Sequence, residues 1–339
     1  MDSLTQIVLG AACGEAVLGK KIGNKALLFG AIGGTIPDLD VFVGRWIYDN
    51  EIDIMAFHRG FMHSILFTVL GAFVFGWLVF ILYNRGRRKG ATTQKNWIWL
   101  FFWSLFTHTI LDSFTPYGTQ LFAPFSNYRV AISNISVVDP IYTIPFLIFM
   151  IVLMFYKRDA KKRRLWLKLG LGISSAYMLL TLINKVYINS VYENSLKNEG
   201  IIYSRFQTQP SVFNNILWYG VAETETDYYI GFYSLLDTSS KVETWNKLPK
   251  NHDLVSADDK DIKTLAWFSN GYYNLIEKED GVIRYNDLRY PSFDKKDPNN
   301  AIFSFTLKKV DQRWDVLPFN GKPPTSEDFI YLWERMKGQ

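Results

Sequence analysis

Four long apolar runs, at residues 64–83, 97–114, 141–156 and about 165–188, constrain this chain more than any other feature. A bilayer core asks for on the order of 20 apolar residues per helical crossing. Each run is therefore expected as a transmembrane helix. The third is short and can borrow Val137 and Val138, and the fourth carries Asn184 and Lys185 near its end, where a long polar side chain reaches the interface cheaply. Two shorter stretches precede them, at residues 4–18 and 26–36, rich in Gly and Ala and separated by Lys20, Lys21 and Lys25. They read as a helical hairpin packed closely on the bundle, since small residues allow backbones to approach inside a membrane. The acidic start, MDSLTQIVLG, does not have the basic n-region of a cleaved signal peptide.

Charge orients these segments. One loop holds Arg85, Arg87, Arg88, Lys89 and Lys95, and another holds Lys157, Arg158, Lys161, Lys162, Arg163 and Arg164. Short loops rich in Lys and Arg stay in the cytoplasm. The two loops agree, because two crossings separate them. The net charge of +5 is thus explained by topology, and a nucleic-acid partner is not expected. Cys13 is the single cysteine, so no intramolecular disulfide and no cysteine-type zinc site can form.

From about residue 189 the chain changes character. The stretches YYIGFYSLLD, TLAWFSNGYYNLIE, GVIRYNDLRY, AIFSFTLKKV and RWDVLPF are aromatic and β-branched, with Asn-Gly and Asp-Gly turn signals between some of them. The mean hydropathy near zero fits such a mixture of apolar and polar parts. The expected fold is an α-helical polytopic membrane domain over residues 1–188, with a short N-terminal hairpin plus four transmembrane helices. A β-rich soluble domain follows over residues 189–339, placed outside the cytoplasm by the fourth crossing.

The chain has only four histidines, and three of them sit at helix ends with acids for company. TIPDLDVF puts Asp38 and Asp40 at the end of the second short helix. FHRGFMHSI puts His58, Arg59 and His63 before the first long run, FTHTILDSFTPYG puts His108 and Asp112 near the end of the second, and VVDPIY puts Asp139 at the start of the third. By the charge-based topology all of these lie at outer ends, at one level. Ionisable groups at membrane depth are expensive and usually functional. Histidine nitrogen and aspartate oxygen are zinc ligands, and a catalytic site keeps a position for water. His108 and Asp112, four apart, share a helix face. Asp38, His58, His63, His108 and Asp112 are therefore the expected ligands of a divalent metal, most readily Zn²⁺. Arg59 is the expected binder of an anionic substrate group, and Asp40 or Asp139 the expected base or orienter of a histidine. Blander readings stand beside these. Asp38 fits a turn, Asp139 before Pro140 fits a helix N-cap, and His252 in KNHDLV fits the surface.

The stretches MDSLTQIVLGAACGEAVLGKKIGNKALLFGAIGGTIPDLDVF, FHRGFMHSILF and LFTHTILDSFTPYGTQLFAPFS resemble the YdjM-type membrane-bound metal-dependent hydrolases over roughly the first half of the chain. That family is distantly similar to zinc-dependent phospholipase C and the S1/P1-type nucleases, and His108-x-x-x-Asp112 looks like their ligand pair. The resemblance implies a membrane hydrolase with the same five candidate ligands. Many family members carry a histidine early in the first helix, where Gln6 stands here. The expected activity is cleavage of a lipid-linked phosphoester at the outer face of the cytoplasmic membrane. The alternatives are a ceramidase-like membrane amidase and a non-enzymatic metal-binding scaffold or transporter. Polar residues gathered at one end of the bundle, rather than along its depth, favour a surface site over a transporter.

Overall fold

The computed structural model describes residues 1–292, 297–318 and 325–338. It divides into two compact units, Met1–Gly44 with Phe57–Thr181, and Arg45–Ala56 with Leu182–Gln339.

The first unit is helical: α1 (Ser3–Ile22), α2 (Asn24–Thr35), the start of α3 (Asp40–Ile47), the end of α4 (Glu51–Phe57), α5 (Ile65–Tyr83), α6 (Gln94–Ser113), α7 (Pro140–Met154) and the first part of α8 (Lys161–Asn198). A 3-10 turn over Ile36–Leu39 joins α2 to α3. Among the described residues, three helical runs are long and apolar enough to cross a membrane: Asn24–Ile47, Ile65–Tyr83 and Lys161–Asn198. The expected count of four is not confirmed by this measure. The second short stretch continues through the 3-10 turn into α3 and becomes long enough. The α6 run is amphiphilic at both ends and is not among the three. At 15 residues α7 falls short of a full crossing by itself.

Glycine spacing makes α1 and α2 a tight pair. Gly10 and Gly14 on α1 face Gly30 and Gly34 on α2, four residues apart on each helix. A methyl group on Gly10 would lie 2.4 Å from the Gly30 carbonyl oxygen, and one on Gly34 would lie 2.5 Å from that of Gln6. Only glycine lets the two backbones touch. Their apolar residues then bury into two clusters. One holds Val8, Ala12 and Leu27 with Leu111, Phe146 and Leu153. The other holds Leu18 and Ala26 with Trp97, Leu100, Phe101 and Leu105. Gly76 of α5 seats against Ile98 of α6 in the same way.

The second unit carries two four-stranded antiparallel meanders. The first orders β1 (Arg205–Pro210), β2 (Leu217–Glu223), β3 (Asp227–Ser234) and β4 (Asn246–Pro249). The second orders β5 (Tyr273–Glu277), β6 (Val282–Asp287), β7 (Ser304–Val310) and β8 (Arg313–Val316). Helix α9 (Lys260–Phe268) separates them, and α10 (Ser326–Met336) follows. The β-rich reading holds, with one local correction. TLAWFSNGYYNLIE is half helix, because Asp259 caps α9 and Ile262, Leu265 and Phe268 form a helical apolar stripe. Phe319, the last residue of the RWDVLPF stretch, lies outside the described residues. Residues 45–56 join this unit because Ile52 is fully buried among Ile262, Leu265, Leu275, Tyr285, Leu307 and Trp314. Asp53 also pairs with Arg313 at 2.8 Å. The end of α8 seats Tyr192 over Gly220 of β2, its hydroxyl donating to the carbonyl of Gly231 at 2.9 Å.

Candidate metal centre

Each polar side chain of the centre is positioned by a helix end. The 3-10 turn after α2 presents Asp38, and Asp40 opens α3. A short turn over Phe61–His63 presents His63 just before Ser64 caps α5. The last turns of α6 present His108 and Asp112 from one face. Among the described residues, Asp38, His63, His108 and Asp112 form one group whose ligating atoms all lie within 4.8 Å of one another.

The hydrogen bonding around the imidazoles decides where their lone pairs point. His108 Nδ1 lies 2.6 Å from the Gly34 carbonyl oxygen. A carbonyl can only accept, so Nδ1 carries a proton, and in the neutral ring Nε2 is the lone pair turned to the centre. The Gly34 carbonyl is available there because it lies in the last turn of α2, where carbonyls lack helical partners. His63 Nδ1 lies 3.1 Å from Asp40 Oδ2 without an aligned hydrogen bond, and its Nε2 is turned toward that of His108. The two Nε2 atoms are 3.1 Å apart. Asp38 Oδ1 lies 3.3 Å from His63 Nε2 and 3.5 Å from His108 Nε2. Asp112 Oδ2 lies 3.5 and 3.7 Å from the same two atoms. Four lone-pair donors thus converge on one point, and such a set calls for a cation. Burial lowers the basicity of His63, but Asp38, Asp40 and Asp112 outweigh it and raise its pKa above the ordinary value.

The fit to a metal rests on these distances and on an orphaned atom. Zinc bonds of about 2.0–2.2 Å in a tetrahedron imply ligand–ligand edges of roughly 3.3–3.6 Å. The five edges given above run from 3.1 to 3.7 Å. Asp112 Oδ2 is buried and has no aligned hydrogen bond, although Arg59 Nε lies 3.0 Å away. A metal would satisfy it.

Further contacts hold these side chains in place. Asp40 receives His58 Nδ1 at 2.8 Å and the Arg59 backbone N–H at 2.9 Å. Gln6 Nε2 donates to Asp112 Oδ1 at 2.8 Å, and the Met1 nitrogen lies against the same oxygen. Arg59 Nη1 donates to the Thr115 hydroxyl at 2.9 Å. Arg59 holds a left-handed backbone, φ 58°. A non-glycine residue there costs on the order of 1–3 kcal/mol and persists when its surroundings demand it. Here the conformation sends the backbone N–H to Asp40 and the guanidinium to Asp112.

The expected residues therefore divide. Asp38, His63, His108 and Asp112 come together. His58 stands one step out, bound to Asp40, its ring centroid 5.7 Å from that of His63. Burial pushes its imidazole below the ordinary value despite Asp40. Asp40 orients His63 and His58. Arg59 is buried against Asp112 and Thr115 rather than facing outward as an open fork. Asp139 caps α7, accepting from Ile141 N, Tyr142 N and the Tyr177 hydroxyl. His252 is half-buried, stacked on Tyr273 at 4.0 Å. Sequence reasoning missed Thr115 and the part Gln6 plays in holding Asp112. A glutamine within an apolar helix was the signal for the second.

Apolar helices holding a buried carboxylate–histidine centre define a membrane protein with a candidate metal site. The chain belongs to the YdjM inner membrane protein family, whose model matches residues 1–188. It is 26% identical over 307 residues to "Uncharacterized protein YfhP" of Bacillus subtilis (strain 168), covering 86% of this chain and 88% of that protein. No solved structure matches it.

Proposed function

We propose that this protein is an integral membrane hydrolase of the cytoplasmic membrane. In this reading a divalent metal, zinc by donor set and spacing, is held by Asp38, His63, His108 and Asp112. The substrate is a phosphoester carried by a membrane lipid, and the site and the β-rich unit face outward. The observation that carries the reading is the convergence of two imidazole Nε2 atoms and two carboxylate oxygens, with His108 held from behind by the Gly34 carbonyl and Asp112 by Gln6.

When bound, such a metal polarises a phosphoryl oxygen and lowers the pKa of a water it holds to about 7. The chain's own residues do the rest. Asp40 keeps His63 turned inward. The Gly34 carbonyl does the same for His108. Arg59 and Gln6 clamp Asp112 from two sides, so the carboxylate cannot swing. Asp38 and His58 are the two members whose side chains are 23% exposed, so substrate reaches the centre on their side.

The test pairs metal analysis with hydrolysis, using wild-type protein in detergent and the His108→Ala, Asp112→Ala variant. The expected result is near-stoichiometric zinc and release of phosphate or headgroup from lipid phosphoesters by the wild type, both abolished in the folded variant. Cleavage of an N-acyl sphingoid amide instead would move the activity to an amidase. Metal without hydrolysis of either substrate class would leave a metal-binding scaffold.

A further inference from the structure

The Arg59 side chain is committed to Asp112 and Thr115, which raises the question of what meets an anionic substrate. The loop that follows α6 offers an answer. Tyr117 lies between two guanidinium groups, with Arg59 at 4.6 Å and Arg129 at 5.1 Å from its ring centroid. The His58 ring meets it edge-on at 5.4 Å. Arg129 Nη2 donates to the Gly118 carbonyl at 3.0 Å, and Nη1 lies 3.5 Å from the His58 carbonyl. The loop is tied down beside the centre by hydrogen bonds from Gln120 N to the Arg59 carbonyl and between Thr119 and Val130. Arg129 is therefore a half-buried guanidinium held next to His58 by the Gly118 and His58 carbonyls and the Tyr117 ring.

Charge gives this position meaning. Counting side chains, Asp38, Asp40 and Asp112 carry three negative charges. A dication and Arg59 cancel them when the histidines are neutral. Arg129 then adds positive charge on the side where substrate enters, and guanidinium is the group suited to phosphate. The same loop turns Phe122, Phe125 and Tyr128 outward, at 51%, 85% and 65% exposure. Exposed aromatics flanking a cation are the pattern of a segment seated at the headgroup level of a bilayer. This favours a lipid phosphate over a free one.

We propose that Arg129, aligned by Tyr117 and carried on the loop between α6 and α7, is the subsite for the phosphate of a membrane lipid headgroup. The proposal rests on the reading that the centre acts on a membrane-borne substrate, and its test does not use hydrolysis as the readout. Full-length protein in detergent, pre-incubated with zinc, would be titrated calorimetrically with three probes: dihexanoyl phosphatidic acid, dihexanoyl phosphatidylcholine and inorganic phosphate. The wild type should bind phosphatidic acid more tightly than inorganic phosphate. Arg129→Gln should weaken phosphatidic acid binding about 10- to 100-fold, as expected for loss of a charge-assisted hydrogen bond, with zinc content unchanged. Arg129→Lys, which keeps the charge but loses the planar fork, should fall between them and guards against a folding defect in the glutamine variant. Equal binding of inorganic phosphate and phosphatidic acid would overturn the lipid assignment. Unchanged binding in Arg129→Gln, or no binding by the wild type, would overturn the subsite. An inactive protein that binds phosphatidic acid through Arg129 would sink the hydrolase reading and leave the subsite standing. A hydrolase whose Arg129→Gln variant binds normally would do the reverse.

Discussion

Two of the buried charge networks in the helical unit are built on opposite principles. In one, Arg163 gives Nε and Nη2 to the two oxygens of Glu15, each at 2.6 Å. Its Nη1 serves Asn24 Oδ1 at 2.8 Å and the carbonyls of Tyr156 and Leu153 at 3.0 and 3.3 Å. One positive charge meets one negative charge, and the geometry is closed. In the other, Asp38, Asp40 and Asp112 gather around two imidazoles whose Nε2 atoms face each other, Arg59 and the Met1 nitrogen both lie against Asp112, and Asp112 Oδ2 and Gln6 Oε1 lack aligned hydrogen bonds. A buried polar group without a partner costs about 1–3 kcal/mol. The Glu15–Arg163 clasp joins α1, α2, α7 and α8 as architecture, whereas the Asp38, His63, His108 and Asp112 group is one that could hold a metal ion.

The sharpest way to break this contrast is to open the clasp. Glu15→Gln leaves Arg163 buried without its counter-charge, which should cost about 3–5 kcal/mol. The expected outcome is a large drop in thermal stability in detergent, while the protein that stays folded keeps its metal. The His108→Ala, Asp112→Ala protein should show the opposite pattern, losing metal and keeping its fold. Replacing both clasp residues with apolar ones should recover much of the stability, since a buried ion pair often gains nothing over a well-packed apolar pair. Metal loss in Glu15→Gln without destabilisation would erase the distinction between the two regions.

That clasp also marks the limit of the sequence. Arg163 sat in a basic loop and was read as one topological charge among six, because burial of one member cannot be seen in a charge run. Glu15 within the Gly- and Ala-rich α1 was the overlooked sign. The centre was more legible. Helix ends brought to one level collect their polar residues, so Asp38, His63, His108 and Asp112 could be named from topology and spacing. What spacing could not supply was the division of labour. His58 and His63 are five apart, and only the turn over Phe61–His63 directs one inward and the other to Asp40. The crossings were half legible for a similar reason. Hydropathy found α5 and α8, but the continuation of α2 through Pro37 and two aspartates into α3 depends on a 3-10 turn that an apolar-run criterion breaks.

A milder perturbation links the scaffold to the centre. A Cβ on Gly34 would sit 2.5 Å from the Gln6 carbonyl oxygen, forcing α1 and α2 apart. Overpacking of this kind costs typically 1–3 kcal/mol. The same carbonyl-bearing residue anchors His108, and Gln6 anchors Asp112. Gly34→Ala should therefore weaken metal binding as well as stability, by about 10- to 100-fold in affinity if it acts like loss of an outer-shell partner. Gly172→Ala on α8 is the control, because a methyl there meets nothing within 4 Å. It should be neutral or slightly stabilising. Equal effects of the two substitutions on metal affinity would show that Gly34 matters only as helix-packing surface.

The smallest expected effect separates the centre from the other conspicuous acid. Asp139 resembles the centre's aspartates in burial but the clasp in closure. Its Oδ1 accepts from Ile141 N at 3.0 Å and Tyr142 N at 3.2 Å, and its Oδ2 accepts from the Tyr177 hydroxyl at 2.9 Å. Asparagine caps a helix about as well as aspartate. Asp139→Asn thus keeps the oxygen that caps α7 and removes a buried charge, while its amide N–H must donate to the Tyr177 hydroxyl that had donated to the carboxylate. The two changes oppose each other, so stability should move by no more than about 1 kcal/mol. Metal content and any lipid hydrolysis should be unchanged. A catalytic base would behave otherwise, because the amide cannot take up a proton. Loss of hydrolysis with the melting temperature held would return Asp139 to the reacting machinery, and would mean that a fully hydrogen-bonded carboxylate can still be part of the site.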